Sequence, residues 1–164
     1  MRQVVILVEG QTEEKLVNEV LSPAASMRGT YVTPVVVTTS ATPTGAHHGG
    51  GHWKHYHAKL QSLLKASHWE RVGLLLDYYQ YPKGAPGRDA ECRNHGEHQR
   101  AITRAGGPEK VNNGPSTSPS KRLARASRHY DKVMTGPGLI ADAGLSAILE
   151  RCPVFAAWWE DLLA

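Results

Sequence analysis

Residues 4–10 read Val4-Val5-Ile6-Leu7-Val8-Glu9-Gly10, a continuous apolar run rich in β-branched side chains that ends in an acid and a glycine. A run of this kind is typical of a strand buried on both faces, as in a parallel sheet. The sequence therefore predicts a buried first strand with a carboxylate directly at its end.

A helix is predicted to follow this strand. Thr12 can cap it, and Glu13 and Glu14 fall in its first turn, where negative charge suits the positive end of the helix dipole. Apolar residues between 16 and 21 recur at helical spacing and predict its buried face. Pro23 is expected to end this helix or to follow its end closely.

Two further apolar runs, at residues 31–37 and 72–76, predict a second and a third strand. Between them, apolar residues from 53 to 64 recur at helical spacing and predict an amphipathic helix. The resulting order is β-α-β-α-β. Strands that alternate with helices form mainly parallel sheets, so the predicted fold class is α/β, with a small, mainly parallel sheet flanked by helices.

The 164 residues suit one domain with a single core. Residues 1–80 are predicted to form the β-α-β-α-β core, and residues 81–118 a region rich in loops. Residues 119–164 are predicted to be helical, with one helix over 139–151 and another that begins at Pro153.

Composition excludes several classes of protein. No apolar run approaches the roughly 20 residues that span a bilayer, so no membrane segment is expected. The apolar stretch after Met1 is too short for the core of a signal peptide, which favours a cytoplasmic location. Cys92 and Cys152 lie far apart, so neither a disulfide framework nor a zinc ribbon is indicated. No phosphate loop of the Walker type occurs, so an ATPase is not expected.

Acids follow two of the predicted strands. Glu9 ends the first, Asp77 ends the third, and Glu13 lies where it could lean toward the same point. Ligands of open parallel sheets bind outside the carboxyl ends of the strands. Three carboxylates there suit Mg²⁺ or Mn²⁺ better than zinc. The structural alternative is that these acids are loop residues and a helix-dipole pair.

The segment from Val8 to Glu14 closely resembles the opening motif of Toprim domains, in particular those of overcoming-lysogenization-defect nucleases. Residues 74–79, Leu-Leu-Leu-Asp-Tyr-Tyr, and the following Pro82 are similar to the second acidic strand end of an uncharacterised Toprim-like bacterial family that is often found beside ATPase genes. The closing part of the chain resembles that family in 113–115, 118–123, 136–137, 140–141, 152–153, Phe155 and Trp158.

The resemblance implies a Toprim-like fold and a metal-dependent nuclease that acts on DNA or RNA, with Glu9, Glu13 and Asp77 as catalytic and metal-binding residues. It also implies an ATPase partner and a role in anti-phage defence. The chain departs from the family pattern at Tyr79, where Toprim domains commonly have a second Asp, and it lacks an acidic segment in its middle. The alternative is therefore a noncatalytic Toprim-like subunit that docks on an ATPase or on nucleic acid.

Five histidines lie between His47 and His57, around Gly49-Gly50-Gly51. His52 and His55 are three residues apart at the start of a predicted helix and could share a zinc ion. No third ligand has a diagnostic spacing. A flexible Gly/His loop is therefore favoured, whether it contacts phosphates or is only solvated, and Trp53 and Tyr56 are expected in the core.

Basic residues cluster near the predicted helix at 121–129. At helical spacing they would form one stripe that can contact a polyanion, with a solvated helix surface as the alternative. The predicted nucleic-acid contacts are Lys121, Arg122, Arg125 and Arg128, and Lys132 extends the stripe. An exposed sheet edge or the Trp158-Trp159 end could join copies of the chain as a homo-oligomer.

Overall fold

A computed structural model describes residues 1–42, 45–48, 52–76, 82, 84, 124 and 127–164, and of residues 39–42 and 45–48 it describes the backbone. The predicted α/β class is confirmed. Three parallel strands, β1 (Arg2–Val8), β2 (Thr30–Val36) and β5 (Arg71–Leu75), form a sheet in the order β2-β1-β5. The predicted division of the chain into regions stays a prediction, since most of 81–118 lies outside the described residues.

Strand β1 is the central strand of this sheet. Val8 pairs with Val36 of β2 on one side and with Leu75 of β5 on the other. Every side chain from Val4 to Val8 is fully buried, as the apolar run predicts. The first strand is therefore covered on both faces by helices.

The first face of the sheet carries Val4, Ile6 and Val8. Against it pack the helical segment that follows β1 and the C-terminal helix α6 (Pro153–Leu163). The second face carries Val5 and Leu7, which pack against helix α3 (Trp53–Lys65). The architecture thus has three layers, with the sheet in the middle.

The helical segment after β1 is longer than predicted, because Pro23 does not end it. It consists of α1 (Gln11–Leu16), a π-helical stretch (Val17–Leu21) and α2 (Ser22–Ser26). Proline has no N–H for the carbonyl four residues earlier, and its ring would clash with that carbonyl in a regular helix. The wider π-helical turn immediately before α2 accommodates Pro23 within the first turn of α2.

Near the C-terminus the single helix predicted over 139–151 is wrong. Two helices occur there, α4 (Gly136–Ala143) and α5 (Leu145–Arg151). Gly144 separates them with a φ of 82°, a value that side-chain-bearing residues rarely adopt. The helix predicted to begin at Pro153 is confirmed as α6.

The sequence patterns also miss a hairpin. Strands β3 (Thr38–Thr42) and β4 (Gly45–His48) pair antiparallel in a separate two-stranded sheet. The favoured interpretation of this region as a flexible loop is therefore wrong for His47 and His48, which lie on β4. This Gly/Thr-rich segment shows no clear alternation of apolar and polar residues, so the strands could not be predicted from its sequence.

Candidate functional site at the carboxyl end of the sheet

Glu9 occupies the carboxyl end of the central strand. From β1 the chain crosses to β2 on one side, and after β2 it crosses by way of α3 to β5 on the other side. Such a reversal of strand order opens a crevice beyond the carboxyl ends of the strands, which is where α/β sheets bind ligands. The Glu9 residue is only 6% exposed, so it is not a solvated loop residue.

Glu13 is held next to this strand end by a backbone contact. The N–H of Gly10 donates a hydrogen bond of 3.1 Å to Oε2 of Glu13. Gly10, and not Thr12, is the residue that precedes the first helical turn, so the predicted cap is wrong. An acid at the third helical position can reach back to the cap N–H, and this contact brings the Glu13 carboxylate to the residue that follows Glu9.

Asp77, the third predicted ligand, lies outside the described residues. The strand it was predicted to follow does pair with β1, since Leu75 is the register partner of Val8. Two strands that were predicted to end in acids are therefore neighbours and run in the same direction. The structure brings Glu9 and Glu13 together, and the position of the Asp77 side chain stays a prediction.

Tyr56 is a residue of this site that the sequence patterns assigned only to the core. Its residue is fully buried on α3, where it packs in the second face, and its ring stacks on Trp53 with centroids 6.2 Å apart. Burial, and then the charges of Glu9 and Glu13, raise the pKa of Tyr56 to about 12. The phenol therefore lies within electrostatic reach of both acids.

Helical spacing in the sequence placed Tyr56 on the buried side of α3. No sequence signal could have linked it to Glu9, because that proximity depends on α3 crossing the second face toward the carboxyl end of β1. A raised pKa keeps the phenol protonated throughout the physiological range. Tyr56 is thus a neutral phenol within electrostatic reach of Glu9 and Glu13.

The chemistry of the donor set fits a hard divalent cation. Glu9 and Glu13 supply carboxylate oxygens, the ligands that Mg²⁺ and Mn²⁺ prefer, and Cys and His are absent from this pair. Within the described part of the chain no group of three His, Cys, Asp or Glu residues could hold a metal ion. Two of the three predicted ligands are together, and completing the set depends on Asp77.

The predicted basic stripe is not a continuous helix. Arg128 and Lys132 lie in turns, and the backbone between them is not helical. Lys121, Arg122 and Arg125 lie outside the described residues. The helical spacing that would align Arg128 with Lys132 is therefore wrong for this described part, because the chain turns at residues 127–131.

The described histidines of the 47–57 cluster have separate surroundings. His52 precedes α3 and accepts a hydrogen bond of 3.4 Å at Nδ1 from the N–H of Lys54. His55 lines a surface groove, and the ring of His57 lies 6.3 Å from that of Trp53. A shared zinc ion at His52 and His55 gains no third ligand among the residues the structure describes.

The described residues define an α/β protein with Glu9 and Glu13 at the carboxyl end of its central strand. Residues 8–99 and 88–163 match the family model described as "Domain of unknown function (DUF4276)". These segments span most of the chain, which therefore belongs to the DUF4276 family. No curated protein and no solved structure gives a significant match. Among the described residues, no helix is long and apolar enough to cross a membrane.

Proposed function

We propose that this protein is a metal-dependent nuclease that hydrolyses phosphodiester bonds of DNA or RNA at the carboxyl end of β1. The observation that carries the proposal is the buried carboxylate of Glu9 at the point where strand order reverses, with Glu13 beside it. A charge removed from water must be compensated by partners or by a cation. An acid kept in this position is more costly to the fold than the solvated loop acid of the structural alternative.

Glu9, Glu13 and Asp77 would hold Mg²⁺ or Mn²⁺ in this proposal. A bound divalent ion there supplies Lewis-acid polarisation of the scissile phosphate and lowers the pKa of an attacking water. Tyr56, whose pKa is raised to about 12 by burial and then by the charges of Glu9 and Glu13, remains protonated and adds no negative charge near the two acids. The Gly10 N–H fixes the Glu13 carboxylate by its hydrogen bond.

The test is cleavage of plasmid DNA and of a labelled RNA by the purified full-length chain, with Mg²⁺ or Mn²⁺ and with a chelator. Cleavage should need the metal and should be lost in Glu9→Gln and in Asp77→Asn. Glu19→Gln is the matched control, because Glu19 is an exposed acid of the same helical segment. Cleavage that survives both Glu9→Gln and Asp77→Asn would refute the proposal.

One observation favours the noncatalytic alternative. Oε2 of Glu13 already accepts a hydrogen bond from Gly10, a structural role that needs no metal. A docking subunit of this kind would not bind Mg²⁺ or Mn²⁺ with or without nucleic acid. Calorimetric titration of the parent and of Glu9→Gln separates the two functions, since a metal-binding event lost in Glu9→Gln supports the nuclease.

The broader setting of this function follows from the sequence resemblance alone. A Toprim-like relationship, an ATPase partner, a homo-oligomer, a cytoplasmic location and a role in anti-phage defence are proposals that extend the nuclease assignment. Co-purification of an ATPase with the chain, expressed together with its neighbouring genes, is the experiment that tests the partner.

A further inference from the structure

One long segment of the chain contains no carboxylate side chain. From Val20 to Trp69 there is neither Asp nor Glu, while the same segment contains Lys54, Lys59 and Lys65. Helix α3, which lies in this segment, therefore presents only positive and neutral side chains. Its buried side packs on the second face of the sheet, so its cations are confined to the remaining surface.

A groove of about 570 Å³ runs along this surface. Its floor is Val36, Val37 and Thr38, at the end of β2 and the start of β3. Lys54, His55 and Lys59 line the wall that α3 contributes. Lys54 and Lys59 are exposed, and within the described part of the chain neither forms an ion pair with a carboxylate. The groove is therefore concave and positively charged, and no described carboxylate pairs with Lys54 or Lys59.

The floor of this α3 groove begins beside the acidic site. Val36 is the register partner of Val8, and the N–H of Val37 donates a hydrogen bond of 3.0 Å to the carbonyl of Val8, the residue before Glu9. On the wall side, Lys54 and His55 directly precede Tyr56, whose pKa is raised in part by Glu9 and Glu13. Through Val36 and Val37, the groove thus adjoins the carboxyl end of β1.

We propose that the α3 groove binds the phosphate backbone of a single-stranded nucleic acid and leads it toward Glu9. A volume of about 570 Å³ is in the range of small-ligand pockets, so the groove suits a short run of one strand and not a duplex. Unpaired lysines along a groove are the usual means of following a backbone without reading its sequence. The direction toward Glu9 rests on the proposed nuclease function, whereas strand binding by Lys54 and Lys59 does not.

The experiment measures binding without cleavage. Fluorescence anisotropy of labelled single-stranded DNA and RNA of one sequence is followed over a range of salt concentrations, with a chelator and in the Glu9→Gln background of the full-length chain. The double variant K54Q/K59Q should bind at least about tenfold more weakly at low salt. Its slope of log affinity against log salt should fall by about 1.4, which is two phosphate contacts at about 0.7 each.

Lys65→Gln is the matched control, because Lys65 is an exposed lysine of the same helix that does not line the groove. It should bind as the background protein does, and circular dichroism should show all variants folded. The proposal is overturned if the background protein binds neither strand, if K54Q/K59Q binds like it, or if Lys65→Gln weakens binding equally.

The two proposals fail in different ways. If metal-dependent cleavage occurs but K54Q/K59Q leaves binding and its salt slope unchanged, the α3 groove is wrong and the nuclease stands. If K54Q/K59Q abolishes strand binding but no metal-dependent cleavage is found, the groove stands as a binding site and the nuclease is wrong.

Discussion

The two faces of the sheet differ in both packing and charge. In the described chain, eleven buried residues form the core of the first face, and five form that of the second. Among the described residues, two separate helical regions pack on the first face and α3 packs on the second. We infer that, of these two described cores, that of the first face contributes more to stability.

The helices on the two faces also differ in charge. The helices on the first face carry Glu13, Glu14, Glu19, Glu160 and Asp161, and α3 on the second carries no acid. The acidic strand end lies between an acidic side and a basic side of the molecule. Among the described residues, the path along α3 toward Glu9 passes Lys54 and Lys59 and no row of carboxylates, so it is the path that the proposed polyanion would take.

The largest expected effect tests the packing of the first face. Trp159 is 2% exposed in its core, so Trp159→Ala should lower the free energy of unfolding by about 3–5 kcal/mol. Urea denaturation followed by circular dichroism measures the loss. The control is Val154→Ala on the same helix, where the side chain is exposed and a change within about 0.5 kcal/mol is expected.

A smaller loss is expected on the second face. Leu63 is buried but belongs to the smaller core, so Leu63→Ala should lower the free energy of unfolding by about 2 kcal/mol, the low end for such truncations. Leu64→Ala, one position along the same helix, removes an exposed side chain and should be nearly neutral. Equal or larger losses from Leu63→Ala than from Trp159→Ala would contradict the difference in stability between the faces.

The titration of Tyr56 tests whether the second face is electrostatically coupled to Glu9 and Glu13. Its pKa is raised to about 12, so the folded state holds the phenolic proton more tightly than the unfolded state does. The related stability is fully present below the ordinary tyrosine pKa of about 10 and is lost as pH rises from there through about 12. Ultraviolet titration should show a late-titrating tyrosine that disappears in Tyr56→Phe.

The same titration in Glu9→Gln isolates the contribution of the acid. The Tyr56 pKa should fall, but it should stay above its ordinary value because burial is the largest cause of the shift. Glu19→Gln, an exposed acid farther along the helical segment, should leave it unchanged. If Glu9→Gln left the Tyr56 pKa unchanged, the second face would not be electrostatically coupled to the acidic site.

The smallest effect concerns an ion pair at the edge of the first face. Arg28 donates two hydrogen bonds of 2.8 Å to the carboxylate of Glu160, and these lower the pKa of Glu160. Its contribution is present above the ordinary glutamate pKa and is lost as pH falls through the lowered value. Because both groups are exposed, Glu160→Gln should change the melting temperature little, and added salt should reduce that change. A change in melting temperature as large as the one that Leu63→Ala causes would contradict this ranking.

Several elements were predictable because burial leaves a local pattern. The apolar run at Val4 to Val8 required a strand covered on both faces, and the spacing from Trp53 to Leu63 required one buried helix side, although Leu64, which was assigned to the same side, is exposed. Other elements were not. Helical conformation continues through Pro23 because a π-helical turn precedes it, and the β3–β4 hairpin forms in a segment without alternation.

A close packing contact between β5 and α6 also could not be predicted from the sequence. A Cβ on Gly73 of β5 would lie 2.9 Å from Cδ1 of Leu162. Because Gly73 has no side chain, α6 can approach the first face closely at this position. Nothing near Gly73 in the sequence indicates Leu162, because the contact joins segments that are distant along the chain.

By itself the sequence determined the α/β class, the buried first strand and the presence of acids after two strands. These features depend on local periodicity and on the order of elements. Tertiary structure alone decided that β1 is central, that Tyr56 lies in the field of Glu9 and Glu13, and that the cations of α3 line a groove together with Val36 and Val37 at the end of β2. The reason is that strand order and helix placement determine which distant side chains meet, and no local pattern encodes that choice.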